Sequence, residues 1–463
     1  MSISLAPNVS RIDKLWLDRD GTSPEQAKSF RAAHVPSIDV GDDVCHSTGL
    51  QIALLTAVNL AFKCFGAPVP VNASESVWSA PCLVAVSVHA TLGQSLLELG
   101  ARREVGPLAD RVRLVVGDAA SNGRTLRITF DGWCPAVGPT HQVPRLPEHN
   151  TCPLAPLAAA AIAVGEVFAE FAGISVTATR RPISLSLWRP DLPISDPQAF
   201  GQQVHEFPQH LELFGLGHLG QAYLWAAASL PYADKSALRF YLCDDDVVEA
   251  PNVETGALLQ TSDISRQKTR QICGWLELRG FEARLLERFI DSNYRRSTTE
   301  PRIALSGFDN NEARQYLAGA GFTAFYDSGL GGEAGTFDSI AMRAWPHPDA
   351  TADLWPIESH EQRHARFERE RRRAEASGYL GLSADECGRV LVSGKAVAVP
   401  FVGAAAACLV LAETLRACNG GPTFHDVRLR ACSLGQVAFA SRIASLEARP
   451  MAGVKMARLL DLT

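Results

Sequence analysis

The chain has 463 residues, of which 46% are hydrophobic and 20% charged, and its net charge at pH 7 is -6. This composition is typical of a folded protein of two or three domains, and it lacks the overall basic charge of a nucleic-acid binder. The longest apolar runs, at 152–165 and 401–412, are shorter than the roughly 18 residues of a membrane span. No secretory signal pattern or Cys-x-x-Cys pair is present. We therefore expect a cytoplasmic protein with mostly reduced thiols that binds neither membranes nor nucleic acid.

The sequence pattern of residues 1–200 predicts an α/β domain, and no phosphate-binding motif is present in it. The segment 47–66 has the apolar pattern of a helix, and 82–88 and 111–116 have the pattern of strands. A proline-rich stretch at 180–198 is interpreted as a linker to a second domain, residues 201–463. We expect the first domain to have a structural role.

Two alanine-rich segments are similar to each other. PLAAAAIAVGEVF at 156–168 and GAAAACLVLAETL at 403–415 both begin with a helix-starting residue and reach a glutamate ten residues later. Apolar helices of this kind are common, so the similarity arises either by chance or from an internal duplication of long period.

The second domain begins with a glycine-rich turn. In LFGLGHLG an apolar run is followed by Gly215, Gly217 and Gly220, and then by a helical pattern. A Gly-x-Gly-x-x-Gly turn between a strand and a helix lets backbone N–H groups approach an anion closely. This motif occurs both in proteins that bind dinucleotides and in enzymes that activate carboxylates with ATP.

Alternating strands and helices follow the glycine loop. Strand patterns lie at 238–246, which ends in three aspartates, at the start of 302–314 and at 322–332. A helix is predicted at 263–280, capped by Asp263, and a highly charged helix at 358–375 is interpreted as a solvated face. The βαβαβ order predicts a doubly wound parallel sheet.

Polar residues at the predicted strand ends distinguish a protein that binds a dinucleotide from an enzyme that activates a carboxylate with ATP. Asp244 is placed to accept a ribose hydroxyl, which suits either NAD or ATP. A dehydrogenase needs neither Lys268 at the second helix nor Asp309 beyond the third strand. An adenylating enzyme needs both, since the lysine offsets triphosphate charge and the aspartate holds Mg²⁺.

These motifs, in this order, resemble the ThiF/MoeB/ubiquitin-activating (E1) superfamily. The order is Gly-x-Gly-x-x-Gly, Asp-x-Asp, Asn, Lys and Asp-Asn-x-x-Ala-Arg over about 200–335, and 398–416 is similar to the closing helix of that family. The resemblance implies ATP and Mg²⁺ as cofactors. It implies that Asp244 binds ribose with Asp246 at the same acidic strand end, that Asn252 and Lys268 bind phosphates, and that Asp309 binds magnesium and the α-phosphate.

One position departs from the family pattern. The family has an arginine three residues after the asparagine, and this chain has Thr255 there. We expect that stabilisation of the phosphates falls either to Arg266 or to an arginine of the first domain such as Arg11.

The arrangement of a motif-free domain before an intact one resembles ubiquitin-type E1 enzymes. Two Rossmann-like adenylation halves are implied, with 1–200 inactive and 201–463 active. The chain is most similar to the E1-like components of Bil-type bacterial ubiquitin-like conjugation operons, which are linked to antiphage defence. This resemblance implies that the enzyme adenylates a ubiquitin-like protein, forms a thioester and passes the acyl group to an E2-like enzyme. The candidate nucleophile is Cys387, in an exposed loop of a crossover segment at 338–399.

Three alternatives stay open. The first is a ThiF-type adenylyltransferase that modifies a sulfur carrier or a peptide without a thioester. The second is a non-catalytic binding scaffold, which Thr255 favours. The third is a nicotinamide-dependent oxidoreductase.

Overall fold

The structure, a computed structural model, describes residues 9–104, 111–149, 152–382, 384–433, 437–443, 451 and 453–460. Its α-helices are α1 Lys14–Asp20, α2 Pro24–Ala33, α3 Thr48–Phe65, α4 Glu75–Ser79, α5 Leu92–Glu98, α6 Leu154–Phe171, α7 His218–Ala228, α8 Ala250–Thr255, α9 Lys268–Glu277, α10 Asn311–Ala318, α11 Thr351–Leu354, α12 His360–Ala374, α13 Ser377–Leu380, α14 Glu386–Ser393 and α15 Pro400–Cys418. Its strands are β1 Ser37–Val40, β2 Val69–Asn72, β3 Ala101–Arg103, β4 Arg113–Val116, β5 Thr125–Asp131, β6 Cys134–Pro139, β7 Ile183–Ser184, β8 Glu206–Pro208, β9 His210–Phe214, β10 Arg239–Cys243, β11 Glu282–Leu286, β12 Ile303–Ser306, β13 Ala324–Leu330, β14 Ser339–Trp345, β15 Phe424–Arg430, β16 Val437–Arg442 and β17 Met456–Arg458.

Two large sheets share one strand order. The first runs β3-β2-β1-β4-β5-β6-β7 and the second β11-β10-β9-β12-β13-β14-β15-β16. In both sheets the first five strands of this order are parallel and the others antiparallel. The predicted α/β class with two Rossmann-like halves is confirmed. The sequence predicted a parallel sheet and did not indicate the antiparallel strands. The domain boundaries, 1–200 and 201–463, stay a prediction.

The hydrogen-bond register makes single positions in the two halves equivalent. Val40 at the end of β1 pairs with Val116 of β4, and Phe214 at the end of β9 pairs with Ser306 of β12. A glycine follows each of these four residues, at positions 41, 117, 215 and 307. The loops that leave these strand ends can therefore be compared residue by residue.

The similar helices α6 and α15 occupy equivalent places, each between the sixth and seventh strand of its half. Each carries a buried glutamate whose carboxylate accepts a backbone N–H from the segment returning to the sheet. Glu166 accepts from Thr179 at 2.8 Å, and Glu413 accepts from Phe424 at 3.2 Å. The shared topology supports an internal duplication, and it gives both glutamates a structural role.

The two halves pack through these helices around a continuous apolar core. The rings of Phe168 on α6 and Phe401 on α15 are 5.5 Å apart. Between the halves, the Trp225 indole donates to Thr56 Oγ1 at 3.1 Å, and the Asn59 amide donates to the Ala257 carbonyl at 3.0 Å. Each half therefore covers apolar surface that the other would expose to water.

Three helices, α3, α6 and α15, are long and apolar enough to cross a membrane by length and composition. In the structure, 83%, 89% and 94% of their apolar windows are buried inside the protein. The runs 152–165 and 401–412 belong to helices of 18 and 19 residues, so the helices are longer than the runs of sequence indicated.

Two local predictions were wrong. The segment 82–88 forms turns instead of a strand, with the Ser87 N–H donating to the Val84 carbonyl at 3.3 Å. Asp263 does not cap α9, because its carboxylate turns back to accept the Gln260 N–H at 2.8 Å. Ser265 then takes a left-handed φ of 70°, and the helix begins only at Lys268.

Candidate functional site

The glycine loop lies between β9 and α7 at the carboxyl edge of the second sheet. Gly215 has a φ of 76°, which suits glycine, and a Cβ at Gly220 would lie 2.1 Å from the Gly215 carbonyl oxygen. Gly217 is the N-cap of α7 and has no side chain to accept the first N–H groups of the helix. These N–H groups are therefore free to bind an anion in the space above them.

Acidic and basic side chains meet at the end of β10. Asp244 accepts the backbone N–H of Leu216 at 2.6 Å and that of Asp246 at 2.9 Å, so it also fixes the glycine loop. The Lys268 ammonium is 2.7 Å from Asp246 Oδ2 and 3.6 Å from Asp244 Oδ1. Burial raises the pKa of the Asp244 carboxyl, and Lys268 opposes this shift.

The short helix α8 positions two further predicted residues. Asn252 Oδ1 accepts the Glu249 N–H at 2.8 Å in a capping box. Thr255 is buried, and its hydroxyl donates to the Pro251 carbonyl at 2.8 Å. Gln221, which the sequence analysis missed, lies on α7 and accepts the N–H groups that follow α8, those of Leu258 and Leu259, at 3.1 Å each.

Asp309 is exposed in the loop between β12 and α10. Arg314 holds this loop, since its buried guanidinium donates to the Phe308 carbonyl and to Asp327 Oδ1, the latter at 2.9 Å. Asn310 caps α10 by accepting the Ala313 N–H at 3.1 Å. The motif Asp-Asn-x-x-Ala-Arg thus combines one free carboxylate with two residues that position it.

The two candidate arginines differ in position. Arg11, from the N-terminal segment, contributes to the lining of the same pocket, and its Nη1 donates to the Ala396 carbonyl at 3.1 Å. Burial lowers the pKa of its guanidinium, while Asp309 and Glu249 act in the opposite direction. Arg266 is exposed and outside the pocket lining. The geometry therefore favours Arg11 as the replacement for the arginine missing at Thr255.

His218 lines the pocket and is a further residue that the sequence did not indicate. Its Nε2 is buried without a hydrogen-bond partner, and a Cβ at Gly403 on α15 would lie 2.3 Å from it. Burial lowers the pKa of the imidazole to about 4. The ring is therefore neutral at pH 7, and it packs the glycine loop against α15.

These elements surround a pocket with a volume of about 620 Å³, in the range of small-molecule sites. The predicted residues in its lining are Gly215, Gly217, Asp244, Asp246, Asn252, Lys268 and Asp309. Gly220 lies behind them as a close-packing residue. Free helix N–H groups, cationic Lys268 and Arg11, and the exposed carboxylate of Asp309 form a donor set that fits a nucleoside triphosphate with a divalent cation.

Cys387, the candidate nucleophile, lies outside the lining of this pocket. Its thiol is exposed, as predicted, but the residue is in the first turn of α14 and not in a loop, because Asp385 accepts the Gly388 N–H at 2.7 Å and starts the helix. Cys387 is not among the residues that line the pocket, although residues 396–399 after α14 are.

Comparison with known proteins gives consistent matches over both halves. The model of the BilD N-terminal domain matches residues 37–187, and that of the BilD C-terminal domain matches 207–421. The bacterial E1-like protein BilD of Collimonas sp. (strain OK412) is 32% identical over 436 residues, which are 93% of each chain.

Several solved structures are also similar. E. coli MccB matches with 15% identity and a TM-score of 0.36 over 50% of this chain and 62% of its own. MccB with ATP matches with 14% identity and a TM-score of 0.36 over 50% and 64%. E. coli tRNA N6-threonylcarbamoyladenosine dehydratase, TcdA, matches with 11% identity and a TM-score of 0.28 over 46% and 86%. The chain thus spans less than two thirds of MccB. The near full-length relative and the two family models show that this chain belongs to the BilD family of bacterial E1-like proteins.

Proposed function

We propose that this protein uses Mg-ATP to adenylate the C-terminal carboxylate of a ubiquitin-like protein. One observation carries the proposal: the loops after β9, β10 and β12 and the N-terminal Arg11 converge on one pocket. Family membership supports it, since the named relative is an E1-like protein.

In this proposal the N–H groups of the glycine loop and the Lys268 ammonium bind the phosphates, with Asn252 beside them, and Asp244 binds the ribose. Asp309 holds Mg²⁺, which would neutralise charge on the phosphate oxygens. Arg11 stabilises the charge that develops as the reaction proceeds.

In the first step a carboxylate oxygen of the modifier attacks the α-phosphorus of ATP. The bond from the α-phosphorus to the bridging oxygen breaks, and pyrophosphate leaves with that electron pair. The pocket opens to solvent beside Asp309 and Asn310, both of which are exposed, so a flexible C-terminal tail has access to it.

The second step of the proposal is a thioester on Cys387. Its thiolate attacks the acyl carbon of the adenylate, the bond from that carbon to the phosphate oxygen breaks, and AMP leaves. Because Cys387 is outside the pocket lining, α14 has to move toward the pocket before this step. The acyl group then passes to an E2-like enzyme, and we place this chemistry in bacterial antiphage defence.

Carrier-dependent exchange of labelled pyrophosphate into ATP tests the first step. We expect exchange only when a ubiquitin-like protein with a free C-terminal carboxylate is present. We also expect calorimetry to show that the protein binds Mg-ATP in preference to NAD. Binding of NAD without ATP would instead support an oxidoreductase. Binding of ATP without pyrophosphate exchange would support the non-catalytic binding scaffold.

The variant Cys387→Ala tests the second step. It should still form the carrier adenylate but lose an adduct that runs at the combined mass of enzyme and carrier and is cleaved by thiols. Cys273→Ala, a partly exposed cysteine on α9, is the matched control and should keep the adduct. Retention of the adduct in Cys387→Ala would assign the thioester to another cysteine.

The position of Cys387 favours one second candidate. An adenylyltransferase without a thioester, acting on a sulfur carrier or a peptide, needs no nucleophilic cysteine at the pocket, and Cys387 is not among the described residues that line it. Exchange activity in a wild type that never forms the thiol-sensitive adduct would establish this candidate.

A further inference from the structure

Phe289 is an exposed aromatic residue at the rim of the pocket. It follows β11, the edge strand of the second sheet, and its residue surface is 71% exposed although it contributes to the lining. Burial of a phenylalanine side chain is favourable because it removes apolar surface from water. An exposed ring at a pocket rim therefore has apolar surface to offer a ligand.

The backbone on both sides of Phe289 is anchored. Ile290 is 4% exposed and packs in an apolar cluster with Phe214 and Tyr294. The Arg288 guanidinium lies 4.3 Å from the centre of the Tyr294 ring, and the Arg288 carbonyl accepts the Cys243 thiol at 3.7 Å. The position of the ring is therefore set by its neighbours while its faces are free.

Phe289 follows the strand next to the two strands that lead to the glycine loop and Asp244. The strands β9, β10 and β11 are adjacent, and they are followed by the glycine loop, Asp244 and Phe289 respectively. Neighbouring strands are about 4.8 Å apart, so these three features span roughly 10 Å. A nucleotide with its phosphates at the glycine loop and its ribose at Asp244 extends its base towards Phe289.

We propose that Phe289 is the platform on which the base of the bound nucleotide stacks. This inference rests on the proposed function. Stacking on an aromatic side chain is favourable for every base, because each base has a π face. Phe289 thus contributes to affinity, whereas the choice between adenine and guanine is left to other groups.

Calorimetric titration of the full chain tests the platform, with Mg-ATP and inorganic tripolyphosphate as ligands. Phe289→Ala should raise the Kd for ATP at least about fivefold and leave the Kd for tripolyphosphate unchanged. Phe289→Trp should retain ATP binding. Phe367→Ala is the matched control, because Phe367 is also exposed, at 52%, but lies on α12 and outside the pocket lining.

Two results would overturn the platform. One is an unchanged Kd for ATP in Phe289→Ala, and the other is an equal loss for both ligands, which would assign the ring to the shape of the loop. Either result would leave the proposed function intact if the wild type binds ATP. A wild type that binds neither ligand would instead refute the proposed function, and the platform with it.

Discussion

Asp43 of the first half stands where the second half has Gly217, each two positions after the first glycine of its loop. The Asp43 carboxylate accepts the Asp118 N–H at 3.0 Å and forms an ion pair with Arg145 at 2.5 Å. A Cβ at Gly217 would meet no atom within 4 Å. One half thus places its own anion at the end of the sheet, whereas the other leaves that space open for a ligand.

The helices that follow the two loops also differ in whether a side chain caps their N-terminus. Ser47 caps α3 by accepting the Leu50 N–H at 3.2 Å, whereas Gly217, the N-cap of α7, has no capping side chain. An occupied helix N-terminus has fewer free donors for phosphate oxygens.

The acidic residues assigned to the ribose and the metal have no acidic counterpart at the same register position of the first half. By register, Ser74 of the first half corresponds to Asp244, and Ala119 corresponds to Asp309. Under the proposed function, one topology thus serves either as a nucleotide site or as a structural partner, depending on a few side chains at the carboxyl ends of its strands.

Separation of the halves should have the largest effect. The fragment 201–463 lacks Arg11 and exposes the surfaces of α7 and α15 that face α3 and α6, so we expect it to be insoluble or without exchange activity. Solubility and pyrophosphate exchange are the measurements, and co-expression with 1–200 is the control. A soluble and fully active fragment would refute a requirement for the first half.

Asp309→Ala should reduce pyrophosphate exchange by about 100- to 1,000-fold, because it removes the carboxylate assigned to Mg²⁺ and the α-phosphate. Asp118→Ala is the matched control, since Asp118 is also exposed after the equivalent strand of the first half. The control should change the rate by no more than about twofold. Equal rates in both variants would remove Asp309 from the site.

Gly217→Asp should give the second half the blocked loop of the first. Gly217 has a φ of -74°, outside the left-handed region, and open space at its Cβ, so an added side chain meets no atom and the variant should fold. Its carboxylate would repel the phosphates, and we expect the Kd for Mg-ATP to rise by about 100-fold. Gly217→Ala is the uncharged control for calorimetry and thermal unfolding. Unchanged affinity in Gly217→Asp would contradict our placement of the phosphates.

Residues next to strand ends could be predicted from the sequence, because chemistry and secondary structure are local there. Asp244 and Asp309 each follow an apolar run, and parallel strands bring such positions to one edge. The glycine loop is equally local. These residues indicated the fold correctly, and the structure brings most of them to one pocket, while their roles stay a prediction.

Residues that reach the pocket from distant segments could not be placed in this way. The position of Arg11 depends on how the N-terminal segment packs against the second half, where Ser10 donates to Glu254 Oε1 at 2.6 Å. Arg288, which follows β11 and also lines the pocket, belongs to no motif. His218 occupies an unspecified position of the glycine motif, so its packing against α15 could not be predicted from the sequence. The segment 82–88 has a strand pattern, yet its local propensity is overridden by the turns of the folded chain.

The smallest expected effect, on the pH dependence of stability, concerns Glu212, a buried acid whose equivalent position in the first half is apolar. The register places Glu212 of β9 at the position of Ile38 in β1. Glu212 Oε1 accepts the Tyr294 hydroxyl at 2.9 Å, while its Oε2 is buried without a partner. Burial raises the pKa of this carboxyl to about 7.

Because the folded state holds the Glu212 proton more tightly than the unfolded state, stability should fall as pH rises from about 4.5 to 7 and then level off. The rise of this pKa from 4.5 to about 7 corresponds to at most about 3.4 kcal/mol. Glu212→Gln cannot ionise, so it should match the wild type at pH 5 and exceed it at pH 8.5 in urea denaturation. Glu206→Gln, at an exposed position on β8, should show no such difference. If Glu212→Gln and the wild type lose stability in parallel between these pH values, the ionisation of another group is responsible.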